Sequence, residues 1–285
     1  PSNPCSGHPR AGAELGPMRL EEVIQATGAE ASGSEEGVAI NGVRVDSRQV
    51  RPGDLFVCLP GERADGHEFA EDALQRGAVA ILASRSLPAA RDRVPVLRVE
   101  DCLTALGDLG ARWRERFEGT VIAVTGSAGK TSLKELLASM LSRRAPTAKN
   151  YKNWNNRLGV PLSLLEFSGA ERYWVLEAGV NQSGEMDELA RILRPDVAVI
   201  HNVGPVHLEG MGSREGVARE KAKLAAEVRE GGLVLASADY PLLTRALPER
   251  FDARRVRFSC GNAEVRYRGE YLGHSGDRGL YRLDL

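Results

Sequence analysis

Long apolar runs are absent. No stretch of the 285 residues approaches the ~18 consecutive apolar positions that a membrane-spanning helix requires, so membrane insertion is not expected. Charge excess of either sign is also missing: 38 Lys and Arg stand against 39 Asp and Glu, a formal net charge of −1, which leaves no electrostatic footprint for nucleic acid. Cysteine is scarce. Cys5, Cys58, Cys102 and Cys260 are too widely separated for a metal-type pair or a dense disulfide framework, which fits a reducing, cytoplasmic setting. The first stretch, "PSNPCSGHPRAGAELGP", has neither an initiator Met nor the apolar core of a signal peptide; residues 1–17 read as a disordered leader and Met18 as a natural start. What is present suffices for one large or two ordinary globular domains, since 42% of residues are hydrophobic.

One further absence bears on chemistry. In "VIAVTGSAGKTSLKELLASML" the phosphate-loop pattern G-x-x-x-x-G-K-[ST] lacks its first glycine, whose place is held by Val124. The flanks compensate. Val121, Ile122, Ala123 and Val124 form a short apolar run of the kind buried on both faces of a sheet, and Leu133, Leu136, Leu137, Met140 and Leu141 recur at helical spacing. In a strand–loop–helix unit, Gly126 and Gly129 let the backbone turn tightly and aim N–H groups at an anion on the helix N-terminus. Lys130 then reaches the β/γ-phosphates and Thr131 offers a hydroxyl to Mg²⁺. The alternative is an ordinary glycine turn before an exposed helix. The expected ligand is a nucleoside triphosphate, held by Gly126, Ser127, Ala128, Gly129, Lys130, Thr131 and Ser132.

Two textures divide the chain. From Met18 to about Glu118 come short alternating strands ("GVRVDSR", "GDLFVCL"), a helix and strand in "HEFAEDALQRGAVAILA", then "VPVLRVED" and a helix with Leu103, Leu106, Gly110, Trp113 and Phe117 on one face, together a small α/β domain. From Gly119 to the end strands and helices alternate in longer units, which predicts a mostly parallel sheet with helices on its faces and ligands at the carboxyl ends of the strands.

Three polar residues fall at or just after such strand ends. Glu177 closes the run "YWVL"; taken alone it reads as a solvated turn residue, and taken with the loop as a carboxylate near the phosphates. His207 lies in "HNVGPVHLEGMG", where His201 is a rival for any role assigned by residue type. On the helix from about Arg214, Val217, Lys221, Leu224 and Val228 fall on one stripe, so Lys221 interrupts an apolar face while Lys223 leaves the helix on nearly the opposite side. Lys221 either snorkels to water or is desolvated, in which case its lowered pKa permits reaction with CO₂ to a carbamate that binds a metal.

In this order, "TGSAGKTSLKELL", "NYKNWNNRLGVPLSLL", "WVLEAGVNQSGEMDELARILRPDVAVIHNVGPVHLEGMGS" and "VAREKAKL" resemble the central ATPase domain of the Mur ligases, the ATP-dependent amide-forming enzymes of peptidoglycan synthesis. "VDSRQVRPGDLFVCLPGERADGHEFAEDALQRGAVAIL" resembles the N-terminal domain that holds the UDP end of their substrate. The segments "AGVNQSGEMDEL" and "GPVHLEG" are most similar to the member that joins D-Ala-D-Ala to UDP-N-acetylmuramoyl-tripeptide; the member adding the third amino acid typically carries Asp-His-Leu-Asp where this chain has Val206-His207-Leu208-Glu209.

The resemblance implies an acyl phosphate made from ATP on the tripeptide carboxylate and attacked by the D-Ala-D-Ala amine, in a monomer. It implies that Thr131 and Glu177 hold one Mg²⁺, and His207 and carbamylated Lys221 a second. Ser47, Arg48 and the loop with Glu62, Arg63 and Ala64 would meet the UDP-sugar, and Asn155 and Asn156 the substrate near the metals. Two departures stand out: Lys223 replaces the usual Glu, and the family's Gly-x-His-Asn segment and C-terminal domain, which takes D-Ala-D-Ala, do not occur among these residues. The chain therefore reads as a fragment of such a ligase, inactive alone, or as a nucleotide-binding module without chemistry.

Overall fold

The computed structural model describes residues 16–33, 37–61, 64–248, 254–260, 265–275 and 278–284. Of the expected leader, residues 1–15 lie outside the described residues, as do Glu62 and Arg63. Contacts divide the described residues into two units, one made of those up to Glu118 together with Arg157–Ala170, the other of those in Gly119–Asn156 and Glu171–Leu285.

The first unit opens with β1 (Met18–Arg19), α1 (Leu20–Thr27), β2 (Glu30–Ser32), β3 (Ala39–Ile40), β4 (Gly42–Arg44) and β5 (Asp54–Val57). It continues with α2 (Ala70–Gln75), β6 (Ala80–Ala83), α3 (Pro88–Arg91), β7 (Val96–Arg98) and α4 (Cys102–Arg116). Its sheet has the order β2-β7-β6-β5-β4, parallel except where β2 joins β7, while β1 and β3 form a separate antiparallel pair. The expected alternation holds in β4, where only Val43 is buried, and fails in β5, which like β6 is buried at every position. Both faces are covered. Phe56, Ile81 and Val96 share an apolar cluster with Ala70, Ala73 and Leu74 of α2, while the intervening Leu55, Leu82 and Leu97 are also fully or almost fully buried. Asp101 caps α4 by accepting from the N–H groups of Leu103 and Thr104, and the buried stripe of Leu106, Gly110 and Trp113 runs as the spacing predicts.

The second unit is built on β8 (Thr120–Thr125), α5 (Lys130–Ser142) and β9 (Thr147–Lys149). The chain then makes α6 (Gly159–Glu166), which belongs to the first unit: Trp113 Nε1 donates to Phe167 O at 3.1 Å and Arg44 pairs with Glu166. After this excursion come β10 (Tyr173–Glu177), α7 (Glu185–Leu193), β11 (Val197–Ile200), α8 (Leu208–Met211), α9 (Arg214–Ala222), β12 (Leu233–Ser237), α10 (Pro241–Ala246), β13 (Arg254–Ser259), β14 (Tyr267–Ser275) and β15 (Arg278–Asp284). The sheet order is β15-β14-β13-β12-β11-β8-β10-β9, parallel throughout except for the β14–β15 hairpin. Chain order departs from β8 to β10 and β9 on one side and to β11 and β12 on the other. The carboxyl end of β8 is thus the switch point where such sheets accept ligands.

Candidate active site at the end of β8

The missing glycine has a structural reason. Val124 is fully buried inside β8, in register with Glu177 of β10 and Val199 of β11, so its backbone has ordinary strand pairing and needs no glycine. The loop proper is Gly126–Gly129. Gly129 has φ +74°, in the left-handed region, and a Cβ there would approach His201 Nε2 to 3.2 Å; a Cβ on Gly126 would approach Asn202 Oδ1 to 3.0 Å. Leu133 N–H makes the first helical bond, to Gly129 O, which leaves the N–H groups of Lys130, Thr131 and Ser132 at the end of α5 free for an anion. Ser127 and Ala128 differ: both N–H groups donate to Asn202 Oδ1, at 2.7 and 3.0 Å.

Glu177 is not a solvated turn residue. It ends β10 with 1% exposure, and both carboxylate oxygens are engaged, Oε2 by the Thr131 hydroxyl at 2.7 Å and Oε1 by Asn155 Nδ2 at 2.6 Å. Both donors are neutral, and among the described residues no Lys or Arg pairs with this carboxylate. A buried anion beside a threonine hydroxyl, without a cation of its own, fits Mg²⁺, which takes few protein oxygens and keeps water and phosphate in its remaining positions. No group of three or more His, Cys, Asp or Glu gathers among the described residues, so an all-protein metal cage is not built.

Lys130 is half-buried and forms no ion pair among the described residues. Its charge is felt nearby: burial first and Lys130 second hold the His201 imidazole below its ordinary pKa. Lys221 is 1% exposed, and burial, reinforced by Lys130 and opposed by Glu220, pushes its pKa down to about 8. The expected stripe around it is corrected at one end. The α-helix stops at Ala222 and Lys223–Glu227 form a 3₁₀ turn, so Val228 leaves the stripe and is only half-buried. Lys223 does leave on another side, where it pairs with Asp187 at 2.6 Å and with Glu220 at 2.8 Å. Glu220, 2% exposed, accepts from Gly184 and Met186 N–H at 2.9 and 2.8 Å and so caps α7. His207 is exposed, with φ +53° at the start of α8, and no hydrogen bond or ion pair joins its ring to Lys221 among the described residues.

Of the residues assigned to the UDP-sugar, Ser47 is 5% exposed and hydrogen-bonds Asp72, holding that carboxyl below its usual range. Arg48 is exposed and forks onto Asp46, with Nε and Nη2 at 2.9 and 2.7 Å from its two oxygens. Ala64 and Asn156 are exposed. Three site-building residues escaped the sequence reading. Asn202 is one; the others are Lys134, fully buried and donating to Asn150 O and Lys152 O at 2.8 and 3.0 Å, and Asn150, which accepts from Glu177 N–H at 2.9 Å. Lys134 and Ala138 share the buried side of α5, four residues apart, a signal masked because lysine on an amphipathic helix normally marks the wet face.

Residues 124–280 match the Mur ligase middle domain, and residues 39–114 match the Mur ligase family catalytic domain. Similar curated proteins include the UDP-N-acetylmuramoyl-tripeptide–D-alanyl-D-alanine ligases of Bacillus subtilis, 39% identical over 74% of this chain and 46% of that protein, and of Escherichia coli, 38% identical over 78% and 48%. Among solved structures, MurF from Acinetobacter baumannii superposes with a TM-score of 0.83 at 32% identity, covering 95% of this chain and 59% of that one. MurF from Thermotoga maritima in complex with ADP gives 0.77 at 32% identity, over 85% and 55%. The chain spans about half the length of the curated relatives it matches. With the middle domain alone covering more than half of its residues, the protein belongs to the Mur ligase family.

Proposed function

We propose that this chain is the substrate- and ATP-binding part of a ligase that joins D-Ala-D-Ala to UDP-N-acetylmuramoyl-tripeptide in the cytoplasm. The observation that carries the reading is the buried Glu177 carboxylate tied to Thr131 one residue beyond Lys130, at a helix N-terminus with free amides. Residues 18–118 are assigned to the UDP-sugar and 119–285 to ATP, with Arg157–Ala170 added to the first on the strength of its packing.

In this reading the terminal carboxylate of the tripeptide attacks the γ-phosphorus of ATP, the bond to ADP breaks, and the D-Ala-D-Ala amine then displaces phosphate from the acyl phosphate. Bringing two anions together demands neutralisation and alignment rather than covalent help from a side chain. Lys130 and the amides of Gly129–Ser132 would hold the phosphates and Thr131 and Glu177 would hold Mg²⁺, with Asn155 fixing Glu177. Mg²⁺, when bound, supplies charge neutralisation across the terminal phosphates. His207 and Lys221 are assigned to a second Mg²⁺, with Lys221 as a carbamate: its neutral amine adds to CO₂, an N–C bond forms and the amine loses a proton. Burial and a pKa of about 8 support that step. Protein equilibrated with ¹³C-labelled CO₂ should show a carbamate carbon signal that disappears in Lys221→Met; an identical signal in both would remove the carbamate.

Calorimetry on this chain tests the whole reading. ADP with Mg²⁺ and the UDP-muramoyl-tripeptide are each expected to bind, without amide formation on addition of D-Ala-D-Ala. Folded protein that takes up neither nucleotide overturns it.

A further inference from the structure

Asn202 follows β11, on the opposite side of the loop from Glu177, and both polar atoms of its carboxamide bond to the loop. Oδ1 accepts from Ser127 and Ala128 N–H at 2.7 and 3.0 Å, and Nδ2 donates to Ala128 O at 3.0 Å. Ser127 returns the contact, since its N–H also reaches Asn202 O at 3.2 Å and its hydroxyl accepts from Gly204 N–H at 2.7 Å. Gly126 leaves the room this approach needs. The loop backbone therefore has two sets of amides. Those of Ser127 and Ala128 are satisfied from the β11 side; those at the start of α5 are left free by helix geometry.

We infer that Asn202 is a positioning residue for nucleotide binding: by holding Ala128 at both its N–H and its C=O it fixes the two peptide planes that flank this residue, and with them the turn that points the amides of Gly129, Lys130, Thr131 and Ser132 at the phosphates. The inference rests on the nucleotide reading above. Two adjacent peptide groups, Ser127–Ala128 held through its N–H and Ala128–Gly129 through its C=O, cannot flip without breaking a hydrogen bond, whereas a loop with two glycines and no such grip has several accessible turns, and binding would then have to fix one of them. Because Asn202 and His207 belong to one connection between β11 and α8, the same grip ties the position of that connection to the shape of the phosphate loop.

Two measurements test this on the intact chain. Amide hydrogen exchange without nucleotide should show Ser127 and Ala128 protected in the wild type, although Ala128 is exposed, and unprotected in Asn202→Ala. Calorimetry with ADP and Mg²⁺ should show affinity falling about tenfold or more in Asn202→Ala, while affinity for the UDP-muramoyl-tripeptide and the melting temperature stay near wild type. Asn202→Asp guards against a folding defect. It keeps the size and the acceptor, loses the donor to Ala128 O and adds a negative charge beside the phosphates, so it too should weaken ADP. Wild type that binds ADP with Asn202→Ala binding equally well or tighter overturns the role of Asn202 alone. Wild type that takes no ADP sinks the nucleotide reading and this role together.

Discussion

Lys130→Ala should lower the affinity of the chain for ADP by about 10- to 100-fold, the scale set by one charged hydrogen-bonding partner worth ~1.5–3 kcal/mol. The fold should survive. Lys130 is half-buried, forms no ion pair among the described residues, and its charge is already unfavourable to two neighbours, depressing the pKa of both His201 and Lys221. Removing it should leave the melting temperature unchanged or raised and let the His201 imidazole titrate at higher pH. Calorimetry, thermal unfolding and an NMR titration of the ring carbon proton supply the three readings. Affinity within about twofold of wild type would end the assignment of Lys130 to phosphate.

The second large effect is on stability and depends on pH. Lys221 has a pKa of about 8 in the folded chain against 10.5 for an unperturbed lysine. Below about 8 it is protonated in both states, so the folded chain bears the whole penalty of a buried ammonium, ~3 kcal/mol at 1.36 kcal/mol per pKa unit. Between about 8 and 10.5 the unfolded chain binds more protons than the folded one, so stability rises with pH; above 10.5 the penalty is gone. The charged groups acting on it are Lys130, which deepens the shift, and Glu220, which opposes it. In CO₂-free buffer Lys221→Met should therefore be more stable than wild type by ~3 kcal/mol near neutral pH, with the difference closing as pH rises toward 10.5. A difference that does not vary with pH would show that Lys221 is not held as a desolvated amine.

The elements that sequence alone made legible are those with strong period or punctuation. The apolar run of β8, the two loop glycines and the leucines of α5 specify strand, turn and helix within a few residues, and the Asp101 cap with the Leu106–Trp113 stripe does the same for α4. Lys221 was legible because it broke a stripe. Glu177 was ambiguous in isolation, since a carboxylate after an apolar run is equally at home in water; only the register of β10 with β8, which sets it opposite Val124, puts it against Thr131. Asn202, Lys134 and Asn150 were illegible for a common reason. Each works through backbone groups of a segment far away in sequence, and such partners leave no trace in local pattern. The short strand β5 misled by length: four residues do not separate alternation from full burial.

The excursion through Arg157–Ala170 gives the chain the arithmetic of an interleaved text rather than two consecutive chapters. The polypeptide passes between the units after Glu118, again after Asn156 and again after Ala170, so no single cut yields two whole pieces. A break at the first passage strips the earlier piece of α6, whose Val160, Leu162 and Leu164 are buried, and of the Phe167 carbonyl that receives the Trp113 indole. The later piece inherits that apolar helix without the α4 surface it packs against. Modular exchange of either unit between related chains, whether by recombination or by design, therefore has to carry three junctions in concert.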